Sequence, residues 1–288
     1  MLKRIIVPEQ LLTGVFNLHR SDITFYLRNF CTYKSKEIST QNLLFWAGQF
    51  RETILSNNEP ILFEVQKKTS DDVLRYIYAC ISCGLGDLNN AYGHFFEVRD
   101  RGMDFRTENI PVSKTNSETG FHTDSTSKDY CPKMVGLLCL QNSEFGGESL
   151  LASAEKLWDH LNNNSPNLIS ELTKPTIRDV ITRNEDDTQR SIENNAIPIF
   201  EKTSDGIRFR YMRYWIERAH EKTGKNIPKD LMNAMDEIDR FFHDQRNVLE
   251  FKMNRGEMLF INNEKMAHNR KEFQDSEVQR VLVRTWID

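Results

Sequence analysis

The sequence has no apolar run of the roughly 18 residues that a membrane-spanning helix requires. Its first residues, MLKRIIVPEQLLTG, carry positive charge but lack the long apolar segment and small-residue cleavage site of a signal peptide. A basic excess is also missing, since the formal net charge is −4 and the pI is near 6.0. We therefore expect a cytoplasmic protein whose partner is a small molecule rather than a nucleic acid or a membrane.

Cysteine is scarce, with five in 288 residues, and an odd number in a chain of this length does not suggest a disulfide framework. Cys80 and Cys83 form a CxxC motif, which is typical of a redox pair or of half a zinc site. No second CxxC completes such a site. The surrounding LRYIYACISCGLG is typical of a buried helix that ends at Gly84, so we interpret both cysteines as small apolar helix residues.

Internal repeats, low-complexity tracts and obvious linkers are absent as well, and we expect one domain over 1–288. Segments with apolar residues at helical spacing are 39–58, 70–84, 152–164 and 228–245. Segments with strand patterns are 59–66, 133–142, 147–153, 207–216, 249–263 and 278–288.

These segments predict a helix-rich part over 1–90 and a helical insertion at about 216–246. Strands dominate the rest, so we expect an α+β, mainly β fold whose core, from about 91 to 288, is an antiparallel sheet or barrel. Within that core, NRGE at 254–257 separates two apolar segments and predicts a hairpin.

The stretch GFHTDST, 120–126, places a histidine and an aspartate two positions apart. In an extended chain, residues i and i+2 point to the same side, so His122 and Asp124 would direct an imidazole and a carboxylate at one point. Such a pair is either two thirds of a metal site or a polar patch on a strand edge.

A third ligand is needed before this pair forms a site, and His268 is the candidate among seven histidines. It follows the apolar strand residues of GEMLFINNEKMAHNR, and a loop residue just past a core strand is where a rigid scaffold presents functional groups. Two histidines and one carboxylate leave coordination positions open on iron(II), although zinc is satisfied by the same ligands.

Two arginines on the last predicted strand favour iron. Arg280 and Arg284 are spaced four apart in VQRVLVRTW, so a strand would point both into one cavity. A guanidinium recognises a carboxylate through two parallel hydrogen bonds. An iron centre beside such an arginine suggests a 2-oxoacid co-substrate that chelates the metal at one end and is bound by the arginine at the other.

Four motifs in this order resemble the TauD/TfdA (taurine dioxygenase-like) family of iron(II)- and 2-oxoglutarate-dependent oxygenases, in its clavaminate synthase-like branch. They are HTD at 122–124, FGGES at 145–149, FINNEKMAHNR at 260–270 and QRVLVRTW at 279–286. The resemblance covers roughly 59–288 and implies a double-stranded β-helix, or jelly roll, with helical insertions.

The resemblance also implies roles for individual residues. His122, Asp124 and His268 match the metal ligands of the family, and Arg280 matches the arginine that pairs with the distal carboxylate of 2-oxoglutarate. Ser149 stands where the family often has a threonine whose hydroxyl helps to bind that carboxylate, so the donor is kept.

Arg284 matches a second arginine that faces either the substrate or the co-substrate in relatives. Because Asp124 is present, hydroxylation or another oxidation of a C–H bond is implied rather than halogenation. The cofactor implied is Fe(II), with 2-oxoglutarate and O2 consumed and succinate and CO2 released. Desaturation and ring formation remain compatible with the same motifs, and the oligomeric state stays open.

The substrate is expected to be a small polar metabolite such as a free amino acid or a derivative. Arg210, Tyr211 and Arg213, in IRFRYMRYWIERA, are candidates for binding an anionic substrate group. The alternative interpretation is surface arginines on an edge strand, with Tyr211 and Trp215 in the core.

Acidic residues ahead of the metal motif are candidates for binding a cationic group. Glu97, Asp100 and Asp104 lie in HFFEVRDRGMDF and would favour an amino group on the substrate if they line the pocket. A solvated loop is the alternative interpretation.

Three other functions compete with this one. A zinc hydrolase would use the same triad, but it needs a general base near the metal-bound water, HExxH is absent, and the arginines of the last strand would lack a purpose. A non-catalytic jelly roll is disfavoured because all three ligands are present. The same oxygenase chemistry on a carrier-bound or protein-bound substrate is left open.

Overall fold

The computed structural model describes residues 1–18, 23, 38–91, 93–103, 112–125, 127–179 and 189–288. Its largest sheet has six strands, which pair antiparallel except for the first two in space, which pair parallel. In spatial order they are β1 (Lys3–Ile6), β2 (Ile61–Glu64), β12 (Glu257–Asn262), β4 (Met134–Gln141), β15 (Val281–Ile287) and β3 (Phe96–Val98).

A second, three-stranded antiparallel sheet carries one of the candidate ligands. Its order is β11 (Val248–Phe251), β6 (Ser149–Ser153) and β13 (Met266–Arg270). Three strand pairs complete the β-structure of the described residues: β5 (Phe145–Gly146) with β14 (Phe273–Gln274), β7 (Thr176–Ile177) with β8 (Ala196–Ile197), and β9 (Phe200–Thr203) with β10 (Gly206–Phe209).

Two of the helices begin at a serine that caps the helix. The Ser70 side chain accepts a hydrogen bond from the Val73 amide at one N-terminus, and Ser153 does the same for Lys156 at another. The helices are α1 (Glu9–Phe16), α2 (Ile38–Gly48), α3 (Arg51–Leu55), α4 (Asp71–Leu85), α5 (Ala154–Asn164), α6 (Pro166–Leu172), α7 (Gln189–Asn194), α8 (Arg213–Thr223) and α9 (Lys229–His243). No helix in the described part of the chain is long and apolar enough to cross a bilayer.

The two faces of the six-stranded sheet contact different cores. Alternate residues of β15 show this: Val283 and Ile287 pack with α1, α2 and α4, whereas Leu282 and Trp286 pack with Leu151 of the three-stranded sheet. The two sheets therefore face each other across an interior, with helices on the outer face of the larger one. A third core lies between β9, β10 and helices α5 and α9.

The structure confirms most of the predicted elements and corrects four expectations. The predicted helix 39–58 is interrupted after Gly48, and the predicted strand 207–216 ends at Phe209, with α8 beginning at Arg213. The predicted hairpin around 254–257 is wrong because β11 and β12 belong to different sheets. His268 lies inside β13 rather than in a loop.

The architecture is a mixed one of helices packed on sheets. The helix-rich part, 1–90, contributes β1 and β2 to the six-stranded sheet, so it shares that sheet with the rest of the chain. The single-domain boundaries stay a prediction.

Candidate active site

Backbone pairing brings the two candidate histidines together. His122 and His268 exchange both amide-to-carbonyl hydrogen bonds, each of 2.9 Å, although 146 positions separate them in sequence (268 − 122). Residues paired in this way carry their side chains on the same face, and the two imidazole centroids are 4.3 Å apart.

Asp124 is the third candidate ligand, and the buried side-chain amide of Asn263 holds its backbone in place. The side chain of Asn263, fully buried, accepts from the Asp124 amide at 2.7 Å and donates to the Asp124 carbonyl at 3.0 Å. Asp124 Oδ1 lies 3.8 Å from His122 Nε2 and 3.6 Å from His268 Nε2. One potential ligand atom from each of these three residues falls within 4.8 Å of the others, so the three donors converge on one point.

The protonation states suit a metal. The Nδ1 atom of His122 lies 2.8 Å from the Gly120 carbonyl, which makes Nδ1–H the donor and leaves the Nε2 lone pair free. Burial, and then the neighbouring His268, lower the pKa of His122 to about 3, so its imidazole is neutral. Burial alone would raise the pKa of Asp124, but Arg284 and both histidines hold it well below its usual range.

Arg284 and Trp286 hold the carboxylate from the six-stranded sheet. Arg284 donates to Asp124 Oδ1 and the Trp286 indole N–H donates to Oδ2, each at 2.8 Å. The Arg284 guanidinium also lies 4.5 Å from the ring centre of Phe96. The indole therefore holds the second carboxylate oxygen, and the two donors together fix the plane of the carboxylate.

The donor set fits a divalent metal. Two imidazoles and one carboxylate that converge on one point are the ligands that leave adjacent coordination positions open on iron(II). The Nδ1 atom of His268 is buried and has no hydrogen-bond partner in the described part of the chain.

Arg280 is the residue directly before β15 and is buried. It is 2% exposed, its guanidinium lies 5.0 Å from the ring centre of Phe273, and its Nε atom donates to Asn142 Oδ1 at 3.3 Å. Burial lowers its pKa to about 10. Its Nη1 atom is buried without a partner among the described residues, as expected for a cation shaped to receive an anion.

Ser149 is the first residue of β6 and is buried at 7% exposure. It pairs across the strands with Phe251 on one side and Arg270 on the other. Arg270 in turn contacts the same Phe273 ring as Arg280, so a chain of contacts connects Ser149 with Arg280.

The three predicted substrate residues have protein partners. Arg210 donates to Glu201 at 3.1 Å, and burial lowers its pKa. The Tyr211 hydroxyl donates to Asp239 at 3.1 Å from within the third core, as in the alternative interpretation of this residue.

Arg213 begins α8 and forms ion pairs of 2.7 Å with Glu217, Asp236 and Asp239. Its side chain therefore ties α8 to α9. The substrate roles of Arg210, Tyr211 and Arg213 stay predictions. The backbone of this segment touches the metal motif, where the Tyr211 carbonyl accepts from the Thr123 amide at 2.9 Å.

The two described acidic candidates, Glu97 and Asp100, also have partners within the protein. Glu97 forms ion pairs with Arg75 at 2.7 Å and Arg99 at 3.3 Å, and Asp100 accepts from the Gly102 amide. Asp104 lies outside the described residues.

Three residues of the site were missed from the sequence: Trp286, Asn263 and Arg270. Two of them share a strand face with a residue that was found, Trp286 with Arg284 and Arg270 with His268, so strand alternation was an available signal. Asn263 acts through tertiary contacts to Asp124, for which no local pattern exists.

The sequence matches the family "Taurine catabolism dioxygenase TauD, TfdA family" over residues 49–286. It is 26% identical over 183 residues to a uridine-5'-phosphate dioxygenase of Streptomyces sp, covering 61% of this chain and 63% of that protein. It is 23% identical over 202 residues to human gamma-butyrobetaine dioxygenase, covering 68% of this chain and 50% of that protein. The match thus spans between half and just under two thirds of these relatives.

Solved structures with the same fold cover almost the whole chain. An asparagine oxygenase in complex with Fe(II), 2S,3S-3-hydroxyasparagine and succinate superposes with a TM-score of 0.68 at 16% identity, covering 99% of this chain and 93% of that one. The non-heme iron oxygenase OrfP in complex with Fe and alpha-ketoglutaric acid superposes with a TM-score of 0.66 at 15% identity, covering 100% of this chain and 94% of that one.

The family match begins directly after α2 and ends at Trp286 in β15, so it includes both histidines, the aspartate and both arginines of the site. This chain belongs to the TauD/TfdA family of dioxygenases.

Proposed function

We propose that this protein is an Fe(II)- and 2-oxoglutarate-dependent oxygenase that hydroxylates an unactivated C–H bond of a small polar metabolite, such as a free amino acid or a derivative. The observation that carries the proposal is the convergence of His122, Asp124 and His268 on one point between two sheets. The buried guanidinium of Arg280, whose Nη1 atom has no hydrogen-bond partner among the described residues, supports the choice of a 2-oxoacid over simple hydrolysis.

Each residue has a defined task in this reaction. When bound, iron with 2-oxoglutarate and O2 supplies an oxidant strong enough to attack a C–H bond, and 2-oxoglutarate is converted to succinate and CO2. His122, Asp124 and His268 hold the ion, and Trp286 keeps the second carboxylate oxygen in place. The apolar interior between the sheets keeps bulk water away from the reacting centre.

Arg284 is the proposed partner of an anionic group on the substrate. Its guanidinium lies against the metal triad, 2.8 Å from Asp124 Oδ1, and its central carbon is 4.5 Å from the ring centre of Phe96 and 5.6 Å from that of Trp286. A carboxylate bound there would place the atoms next to it close to the metal. The asparagine oxygenase and OrfP complexes contain hydroxylated amino acids, which supports a free amino acid as the class to screen first.

We further propose that the two facing sheets are the walls of a double-stranded β-helix. The inner cluster between them, which includes Leu151, Leu259 and Leu282, supports this assignment. We also propose that the reaction takes place in the cytoplasm and that its substrate is a free small molecule.

The function is tested by incubating the protein with Fe(II), 2-oxoglutarate, O2 and a panel of free amino acids. Mass spectrometry then follows succinate and products heavier by one oxygen atom. We expect one amino acid or derivative to increase succinate formation and to gain oxygen, and the His268→Ala variant to do neither. Turnover that needs Zn(II) but neither O2 nor 2-oxoglutarate would replace the proposal with a hydrolase.

A further inference from the structure

Strand alternation places Arg270 on the same face of β13 as the metal ligand His268. The two residues are two positions apart in a regular strand, so their side chains leave the sheet in the same direction. Their partners on β6 agree, because His268 pairs with Leu151 and Arg270 pairs with Ser149. Leu151 belongs to the inner cluster between the sheets, so Arg270 also enters the interior.

The spacing along the strand suits a short diacid. Two positions in an antiparallel strand span about 7 Å. In 2-oxoglutarate two methylene groups separate the keto acid from the distal carboxylate. A molecule chelated at the level of His268 and extended along β13 therefore brings its distal carboxylate to the level of Arg270 and Ser149.

Arg270 and Arg280 pack on one aromatic ring. Their guanidinium carbons lie 4.8 and 5.0 Å from the ring centre of Phe273, and their exposures are 8% and 2%. The Arg270 Nε atom and the Arg280 Nη1 atom are each buried with no hydrogen-bond partner in the described residues.

The hydrogen-bond partners of these two guanidinium groups are neutral. Arg270 donates to the Ser117 carbonyl and Arg280 to the Asn142 side chain. Asp100 and Glu118 lie within electrostatic range of Arg270, and Asp275, which accepts from the Arg280 backbone amide at 2.8 Å, lies within range of Arg280. None of the three carboxylates forms an ion pair with either guanidinium among the described residues. Two buried cations around one ring are costly unless an anion neutralises them.

We propose that Arg270 is a second cation for the distal carboxylate of 2-oxoglutarate, acting with Arg280 and Ser149. This inference rests on the proposed function and adds a co-substrate-binding residue to it. Its consequence is selectivity: a pocket with two arginines favours a 2-oxoacid that carries a second carboxylate over one that ends in a methyl group.

The test measures binding, without turnover, to protein loaded with Mn(II) under anaerobic conditions. Calorimetry gives the Kd of 2-oxoglutarate and of 2-oxovalerate, which has a methyl group in place of the distal carboxylate. Removing one partner from a buried charge pair weakens binding by roughly 30-fold or more. We expect Arg270→Gln to raise the Kd of 2-oxoglutarate by about that factor and to leave the Kd of 2-oxovalerate unchanged.

Two controls accompany this measurement. The Kd of Mn(II) must stay at the wild-type value, which shows that the metal site is intact. Arg246→Gln removes an exposed arginine whose partner is Asp244, and it must leave the Kd values of both 2-oxoacids unchanged.

An unchanged Kd of 2-oxoglutarate in Arg270→Gln, or an equal change for both 2-oxoacids, would overturn the inference and leave Arg270 as a packing residue. If Arg270→Gln does not fold, Arg270→Lys decides by the ratio of the two Kd values: a lower preference for 2-oxoglutarate supports the inference, and an unchanged ratio overturns it. Wild-type protein that binds no 2-oxoglutarate would overturn the proposed function itself.

Discussion

Asp124 is contacted by side chains from both the three-stranded and the six-stranded sheet. His268, from the three-stranded sheet, approaches its Oδ1 atom, while Arg284 and Trp286, from the six-stranded sheet, donate to its two oxygens. Asn263 fixes its backbone. A ligand that is held on all sides needs little rearrangement to bind an ion, and metal affinity therefore depends on these supporting residues as well as on the ligands.

Replacement of Trp286 by Phe tests this dependence. The variant keeps an aromatic ring but leaves Asp124 Oδ2 without its indole donor. Loss of such a support costs about 10- to 100-fold in metal affinity, and we expect the Kd of Mn(II) to rise by a factor in that range. Calorimetric titration of the apo-protein measures it.

Trp158→Phe serves as the matched control because Trp158 packs on Phe200 in the third core. Its metal affinity should equal that of the wild type. Equal affinities in Trp286→Phe and the wild type would show that the indole has no part in holding the ligand.

Two cysteines near the interior are expected to be unreactive. Burial, followed by the charge of Glu264 for Cys131, raises the pKa of Cys131 to about 12, and burial raises that of Cys139 to about 12. At pH 8 only about one thiol in 10,000 is then ionised, roughly three orders of magnitude fewer than for a free cysteine.

Alkylation with iodoacetamide, followed by peptide mass spectrometry, measures this reactivity. Cys83, partly exposed on α4, should react before Cys131 and Cys139. The rates of the two slow thiols should rise about tenfold per pH unit up to pH 10, because the thiolate fraction does. Labelling of folded protein as fast as of urea-unfolded protein would contradict the raised pKa values. Cys31 lies outside the described residues.

At the scale of elements, the close approach of α2 and α4 depends on Gly84. A Cβ atom at this position would lie 2.3 Å from the Leu44 carbonyl oxygen and 2.9 Å from the Ala47 Cβ. We expect Gly84→Ala to destabilise the fold by about 1–3 kcal/mol, because the helices must move apart. The measurement is urea denaturation followed by circular dichroism.

Asn163→Ala is the control, since Asn163 is exposed on α5 and alanine favours helix there. Its stability should stay within about 0.5 kcal/mol of the wild type. A Gly84→Ala variant as stable as this control would show that the two helices are not in direct backbone contact.

Elements with a local signal were predicted from the sequence, and those decided by tertiary contacts were not. The cap at Ser70 and the apolar spacing after it identified α4. The alternation in 207–216 resembled one strand, but Arg213 finds three carboxylates on α8 and α9 and begins a helix instead. The residues 254–257 look like a hairpin turn in sequence, but β12 pairs with β2 and β4.

The candidate site follows the same division. His122, Asp124, His268 and Arg280 were recognisable because a known family has these residue types in the same chain order, and Ser149 because it keeps the hydroxyl of the family's usual threonine. Their convergence depends on pairing between His122 and β13 that no local pattern specifies. From the sequence, Tyr211 could be either a substrate-binding or a core residue. It lies in the third core, where Asp239 accepts the hydrogen bond of its buried hydroxyl.

At the scale of the whole molecule, the site joins distant parts of the chain. The metal motif, β13 and the end of β15 meet between the two sheets, and one interior cluster surrounds them. The cations proposed for the co-substrate and the substrate, Arg280 and Arg284, come from one short segment of chain, since Arg280 directly precedes β15 and Arg284 lies within it. This arrangement makes 2-oxoglutarate binding a property of the assembled fold.

The most direct test of that account is an anaerobic titration of the apo-protein with Fe(II) and then with 2-oxoglutarate, followed by visible absorbance. A weak charge-transfer band that requires both additions is the expected result. His268→Ala should give no band, and Arg280→Leu should give one only at higher 2-oxoglutarate concentrations while binding Fe(II) as the wild type does. Folded wild-type protein that binds Fe(II) but develops no band with 2-oxoglutarate would contradict the account.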